Sequence, residues 1–101
     1  MNSIPKSPPA RDDAYKAWIS SKPCLIPGCI RRTEVAHVGT TGKGTGQKCS
    51  DYEAVPLCYY HHHEQHCRGV KWFQRRYRVD FEKEIVRLNA LYKIYCADDN
   101  E

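Results

Sequence analysis

No stretch of this sequence is apolar for long enough to cross a bilayer, and its N-terminus, MNSIPKSPPARDD, lacks the apolar core of a secretion signal. The expectation is a soluble, cytoplasmic chain with no membrane partner. Large apolar side chains are scarce too: two Phe, two Trp and one Met in 101 residues, with a mean hydropathy of −0.73. A single small domain built on so little has a marginal core and needs a staple. The candidates are a structural metal or disulfides among six cysteines. A reducing compartment favours the metal. The rival disulfide framework would gain if Cys49, Cys67 and Cys96, which have no motif role, proved to be paired. Histidine is also sparse, yet four of its five copies fall in one run.

That run is VPLCYYHHHEQH, Val55 to His66. Cys58 and His61 stand at the short spacing that lets two ligands from one turn reach one metal. His62 and His66 are four apart, on one face of a helix, and can clamp a second ion. Consecutive helical residues point about 100° apart, so His61 and His62 cannot easily share an ion. Two metal addresses follow. His63 lies on a third face and is expected to be solvated. Upstream, CLIPGC places Cys24 and Cys29 around a Pro-Gly turn, within the spacing of paired zinc ligands. With Cys58 and His61 they make a three-sulfur, one-nitrogen set suited to a closed, structural, tetrahedral zinc.

Residues 1–11 read as a disordered lead. Asp12 or Asp13 can cap a helix in which Ala14 and Trp18, with Tyr15 and Ile19, repeat until Lys22-Pro23 ends it. TEVAHV, Thr33 to Val38, alternates as a short strand, with Val35 and His37 on one face and Glu34 and Ala36 on the other. GTTGKGTGQK, residues 39–48, reads as a loop rich in backbone donors; it lacks the lysine and the following helix of a phosphate-binding P-loop. Beyond His66, Val70, Phe73 and Tyr77 share an apolar helical face, with Lys71 and Arg75 on another. Asp80 can cap a last helix whose stripe of Phe81, Ile85, Leu88, Tyr92 and Tyr95 reads as core packing. Residues 97–101 read as an acidic tail. A net charge of +4 permits a polyanionic partner, and the lysines and arginines crowd Lys43 to Lys48 and Arg68 to Arg78, beside the metal-rich run.

From Cys24 to His66 the chain resembles the HNH endonucleases, with their ββα-metal fold. The resemblance rests on the Cys-x4-Cys pair, the Ala-His-Val around His37, SDYEAVPLC and HHHEQH. It is nearest to the short phage-type members and the recombination-enhancement nucleases. Cys58-x-x-His61 departs from the commoner Cys-x-x-Cys. The resemblance implies a small α+β fold with its motif core at 24–66, and it ends near His66. The helices at 70–95, which complete a single domain over residues 12–96, rest on the apolar pattern alone. The resemblance makes His37 the general base and places Asp51 at or near the position that orients that base. His62, accompanied by His66, becomes the ligand of a catalytic divalent ion such as Mg2+ or Mn2+. Many members carry an acidic ligand just before the base, where this chain has Ala36. The carboxylate is then left to Asp51 or, as second choice, to Glu34.

The chemistry suits these residue types. An imidazole ordinarily titrates near pH 6.5 and can take a proton from water near neutrality. Phosphate contacts are expected from Lys43, Lys48, Arg68, Lys71 and Arg75, giving DNA binding with little base reading, and hence nicking or low-specificity cleavage. A monomer or weak homodimer is expected. The alternative is a non-catalytic, zinc-stapled nucleic-acid-binding module in which His37, His62 and His66 are structural.

Overall fold

A computed structural model of the chain describes residues 11–38 and 50–99. The expected lead up to residue 10 and the glycine-rich loop, with Lys43, Lys48 and Cys49, lie outside the described residues. Within them the chain is a small α+β unit with a two-stranded antiparallel sheet and four helices. The order is α1 (Asp13–Ser20), β1 (Thr33–His37), a 3-10 turn (Asp51–Glu53), β2 (Ala54–Cys58), α2 (Tyr59–Arg68), α3 (Val70–Tyr77) and α4 (Phe81–Asp99). No described helix is long and apolar enough to cross a membrane.

β1 and β2 pair with Glu34 opposite Leu57, Val35 opposite Pro56 and His37 opposite Ala54. Every residue of β2 is buried, which is why its sequence is a continuous apolar run and not an alternating one. Pro56 has no N–H to give the ladder, and its carbonyl accepts from the Leu25 N–H at 3.0 Å. Its backbone therefore faces away from β1, on the edge where a proline costs the sheet nothing.

Asp12, not Asp13, caps α1: its Oδ1 accepts the Tyr15 N–H at 2.9 Å. Tyr15, Trp18 and Ile19 are buried at i, i+3 and i+4, while Ala14, expected beside them, faces solvent. The α4 stripe packs as expected in its first half. Beyond it Tyr92 is half-buried, and Tyr95, expected in the core, is exposed, with its ring beside those of Trp18 and Tyr92. Phe81, Ile85 and Leu88 are buried, Phe81 stacks on Phe73 at 5.6 Å, and the Tyr92 ring meets Tyr15 edge-on at 4.8 Å. The helix runs to Asp99, so residues 97–99 continue it and do not form a separate tail. Between α2 and α3 the chain turns at Gly69, whose φ of 94° is strained for any residue with a Cβ.

The Asp12 carboxylate also accepts from the Tyr52 hydroxyl. This hydrogen bond, and the one from Tyr15, hold the Asp12 pKa below its ordinary 3.8. A group depressed in the folded state contributes stability that is present above its unfolded pKa and lost as pH falls through its folded one. Asp12→Ala is therefore expected to lose about 1 kcal/mol at neutral pH. Urea titrations of both proteins should show that gap narrowing only below the unfolded value of 3.8.

Candidate functional site

The Cys24–Cys29 knuckle, the last residue of β2 and the first turn of α2 converge on one point. One donor atom each from Cys24, Cys29, Cys58 and His61 lies within 4.8 Å of the others, a group that could hold a metal ion. His61 Nδ1 stands 3.6 Å from Cys24 Sγ and 3.2 Å from Cys58 Sγ. A tetrahedral zinc, with bonds of about 2.3 Å to sulfur and about 2.0–2.1 Å to nitrogen, sets those donors about 3.6 Å apart. The spacing fits such an ion with little movement. Cys58 is also the N-cap of α2, its sulfur accepting the His61 N–H at 3.3 Å. That cap starts the helix at Tyr59. Burial holds His61 below its ordinary 6.5, which favours the neutral ring that a ligand needs. Burial pushes the Cys24 thiol up to about 11, so gathering thiolates here calls for a cation among them. The described cysteines, Cys67 and Cys96 included, form no disulfide.

His37 ends β1 and points at Asp51, Nε2 to Oδ1, at 2.9 Å. Asp51 is 1 % exposed and receives two further hydrogen bonds, from the Asp12 N–H at 2.7 Å and from Arg11 at 3.4 Å. Arg11, expected to belong to the lead, is thus tied to this site. Burial acts to raise the Asp51 pKa, but the Asp12 N–H and His37 outweigh it and hold it below 3.8. An ionised carboxylate can only accept, so Nε2 of His37 carries the proton and Nδ1 keeps its lone pair.

His62 shows the opposite arrangement. Its Nδ1 meets Glu34 Oε2 at 2.6 Å, and its ring lies 4.9 Å from that of His66, centroid to centroid. Proton on Nδ1 leaves the Nε2 lone pair free. Glu34, the second choice of carboxylate from the sequence, is therefore the one beside His62, and Asp51 is beside His37. Only the register of β1 against α2 reveals this. His63 is exposed, as expected, with its ring near-parallel to that of Tyr59 and its Nε2 3.5 Å from Cys67 Sγ. Arg68, Lys71 and Arg75 are all exposed, Arg68 over the Trp72 ring at 4.9 Å.

A family model described as "Protein of unknown function (DUF968)" matches residues 1–89. No curated protein and no solved structure matches the chain.

Proposed function

We propose that this chain, which belongs to the DUF968 family of proteins of unknown function, is a metal-dependent DNA endonuclease built on a ββα-metal core. One observation carries the reading. Two imidazoles are each fixed by a carboxylate in opposite tautomers, His37 through Nε2 to Asp51 and His62 through Nδ1 to Glu34. The first is left as a proton acceptor, the second as a ligand.

His37 Nδ1 takes the proton of the attacking water, and Asp51 holds the ring in the tautomer that can do so and steadies the imidazolium that results. His62 Nε2 and His66 would hold the divalent ion. Bound there, such an ion supplies positive charge for a non-bridging phosphate oxygen and for the departing 3′ oxygen. Arg68, Lys71 and Arg75, with Lys43 and Lys48, grip phosphates without reading bases, which makes the product a nick or a low-specificity cut. The Cys24, Cys29, Cys58 and His61 set, holding zinc, anchors the turn from which His62 projects.

The test is supercoiled plasmid incubated with the zinc-loaded protein and magnesium, manganese or nickel. Nicking with at least one of them is expected. A protein that binds DNA but cuts with none is instead the non-catalytic zinc-stapled module. Glu34 supplies a separate check. Manganese titrated calorimetrically into Glu34→Ala should bind about 10- to 100-fold more weakly than into the parent, since an imidazole that loses its carboxylate partner loses orientation and basicity. Glu34→Gln keeps an acceptor for the Nδ1 proton and should lose less. Equal affinity in all three would remove Glu34 from the site.

A further inference from the structure

α2 opens with two tyrosines that the core does not use. Tyr59 is 72 % exposed and Tyr60 52 %, and Ile30, one residue past the zinc-knuckle Cys29, is 96 % exposed. Leaving such rings in water forgoes the burial that would stabilise the fold, and contiguous exposed apolar groups mark binding surfaces. Ile30 and Arg31 follow Cys29 directly and Tyr59 and Tyr60 follow Cys58 directly, so an ion held by the four-residue cluster would anchor both segments. The Arg31 guanidinium sits over the Tyr60 ring at 5.1 Å. Tyr59 lies within 17° of parallel to His63, with ring centroids 6.2 Å apart.

The helical spacing ties this surface to the imidazole pair. Tyr59, His62, His63 and His66 stand at i, i+3, i+4 and i+7, one stripe of α2. Flat aromatic faces beside cationic side chains suit one class of occupant above others. Every nucleobase has a π-face that stacks on Tyr, and the phosphate between bases answers the exposed Arg31 and Arg32, of which Arg31 also reaches the Cys29 thiol. A base paired within a duplex has both faces covered by its neighbours and cannot use such a platform.

We infer that Tyr59 forms a stacking platform for an unpaired nucleobase, with Arg31 occupying the Tyr60 ring beside it, so that the preferred substrate is DNA with a flap, gap or splayed junction next to the scissile phosphate. The inference rests on the nuclease reading for placing that phosphate at His62 and His66. Its own support is the exposed rings and the arginines.

Fluorescence anisotropy with labelled DNA tests it, using zinc-loaded protein without any other divalent ion, so that binding is read in the absence of cleavage. The parent should bind a gapped duplex tighter than a fully paired duplex of the same sequence. Tyr59→Ala should lose about 10- to 100-fold on the gapped DNA and little on the paired one. Tyr59→Phe, which keeps the π-face, should behave as the parent. Tyr59 is so exposed that its truncation leaves packing intact, and zinc content confirms this. A parent without preference for the gap, or a Tyr59→Ala protein that retains one, overturns the platform; the exposed rings would then belong to a protein partner. The two readings fail separately. Plasmid nicking without a gap preference removes the platform alone, whereas a gap preference in a protein that never nicks removes the nuclease reading and keeps the platform.

Discussion

If the Cys24, Cys29, Cys58 and His61 cluster holds zinc as proposed, removing the ion by a strong chelator, or a ligand by Cys58→Ser, should leave this protein unfolded at 25 °C. Structural zinc contributes about 10–16 kcal/mol in small zinc-dependent peptides at neutral pH. A whole domain is commonly stable by only about 5–15 kcal/mol. Here the ion would tie the Cys24–Cys29 knuckle to the junction of β2 and α2, adding to the hydrogen bonds from Leu25 to Pro56 and from Cys58 to Cys24. Cys58 has the largest part, being wholly buried, the last residue of the sheet and the cap of α2 at once. Loss of its sulfur therefore removes a ligand and a helix cap together, and exposes the remaining thiols to protonation in place of coordination. Circular dichroism at 222 nm during chelation, followed by zinc addition, checks this. The helical signal should collapse and return, and free thiols should become reactive in step with it. A metal-free protein that melts where the parent melts would show that the hydrophobic core suffices and that the cluster is incidental to stability.

Local signals made much of this architecture legible. A capping aspartate ahead of Tyr15, Trp18 and Ile19 marks α1, because one hydrogen bond and one apolar stripe decide a helix of that length. The cysteine and histidine spacing marks the metal cluster, because coordination demands particular atoms and tolerates little else. The hydrogen bond between His37 and Asp51 is likewise one that the resemblance leads one to expect. Other features depend on contacts between segments distant in sequence. Glu34 reaches His62 only because β1 lies against α2 in one register, and a shift by one residue would turn it to the other face. His63 is exposed, as its helical position predicts, while its neighbours Tyr59 and Cys67 are recognisable only once the helix is known to begin at Tyr59. Exposure of Tyr59 and Tyr60 was illegible for a related reason. Which side of α2 a side chain occupies depends on where the helix starts and what it packs against, and Tyr59 and Tyr60 fall outside.

Against plasmid DNA, His37→Ala should retain at most about one part in 10²–10⁴ of the parent's nicking rate, the usual contribution of a positioned general base. The variant remains folded because Asp51 is not stranded when the imidazole goes. Its carboxylate still accepts from the Asp12 N–H at 2.7 Å and from Arg11 at 3.4 Å, so no uncompensated buried charge appears. Thermal midpoint and zinc content, compared with the parent, verify this before any rate is read. Metal binding supplies the second control. His62 and Glu34 belong to a different imidazole–carboxylate pair, so manganese affinity should be unchanged in His37→Ala and lowered in Glu34→Ala. That crossing of effects separates a base from a ligand in a way that rate alone cannot. Asp51→Ala should fall between the two proteins in rate, since His37 would keep its lone pairs but lose the partner that selects Nδ1 as the acceptor. If His37→Ala nicks as fast as the parent, His37 is not the base and a contaminating nuclease must be sought. If neither protein nicks and both bind DNA alike, the tautomer-fixed histidines are structural and the chain is a zinc-stapled adaptor.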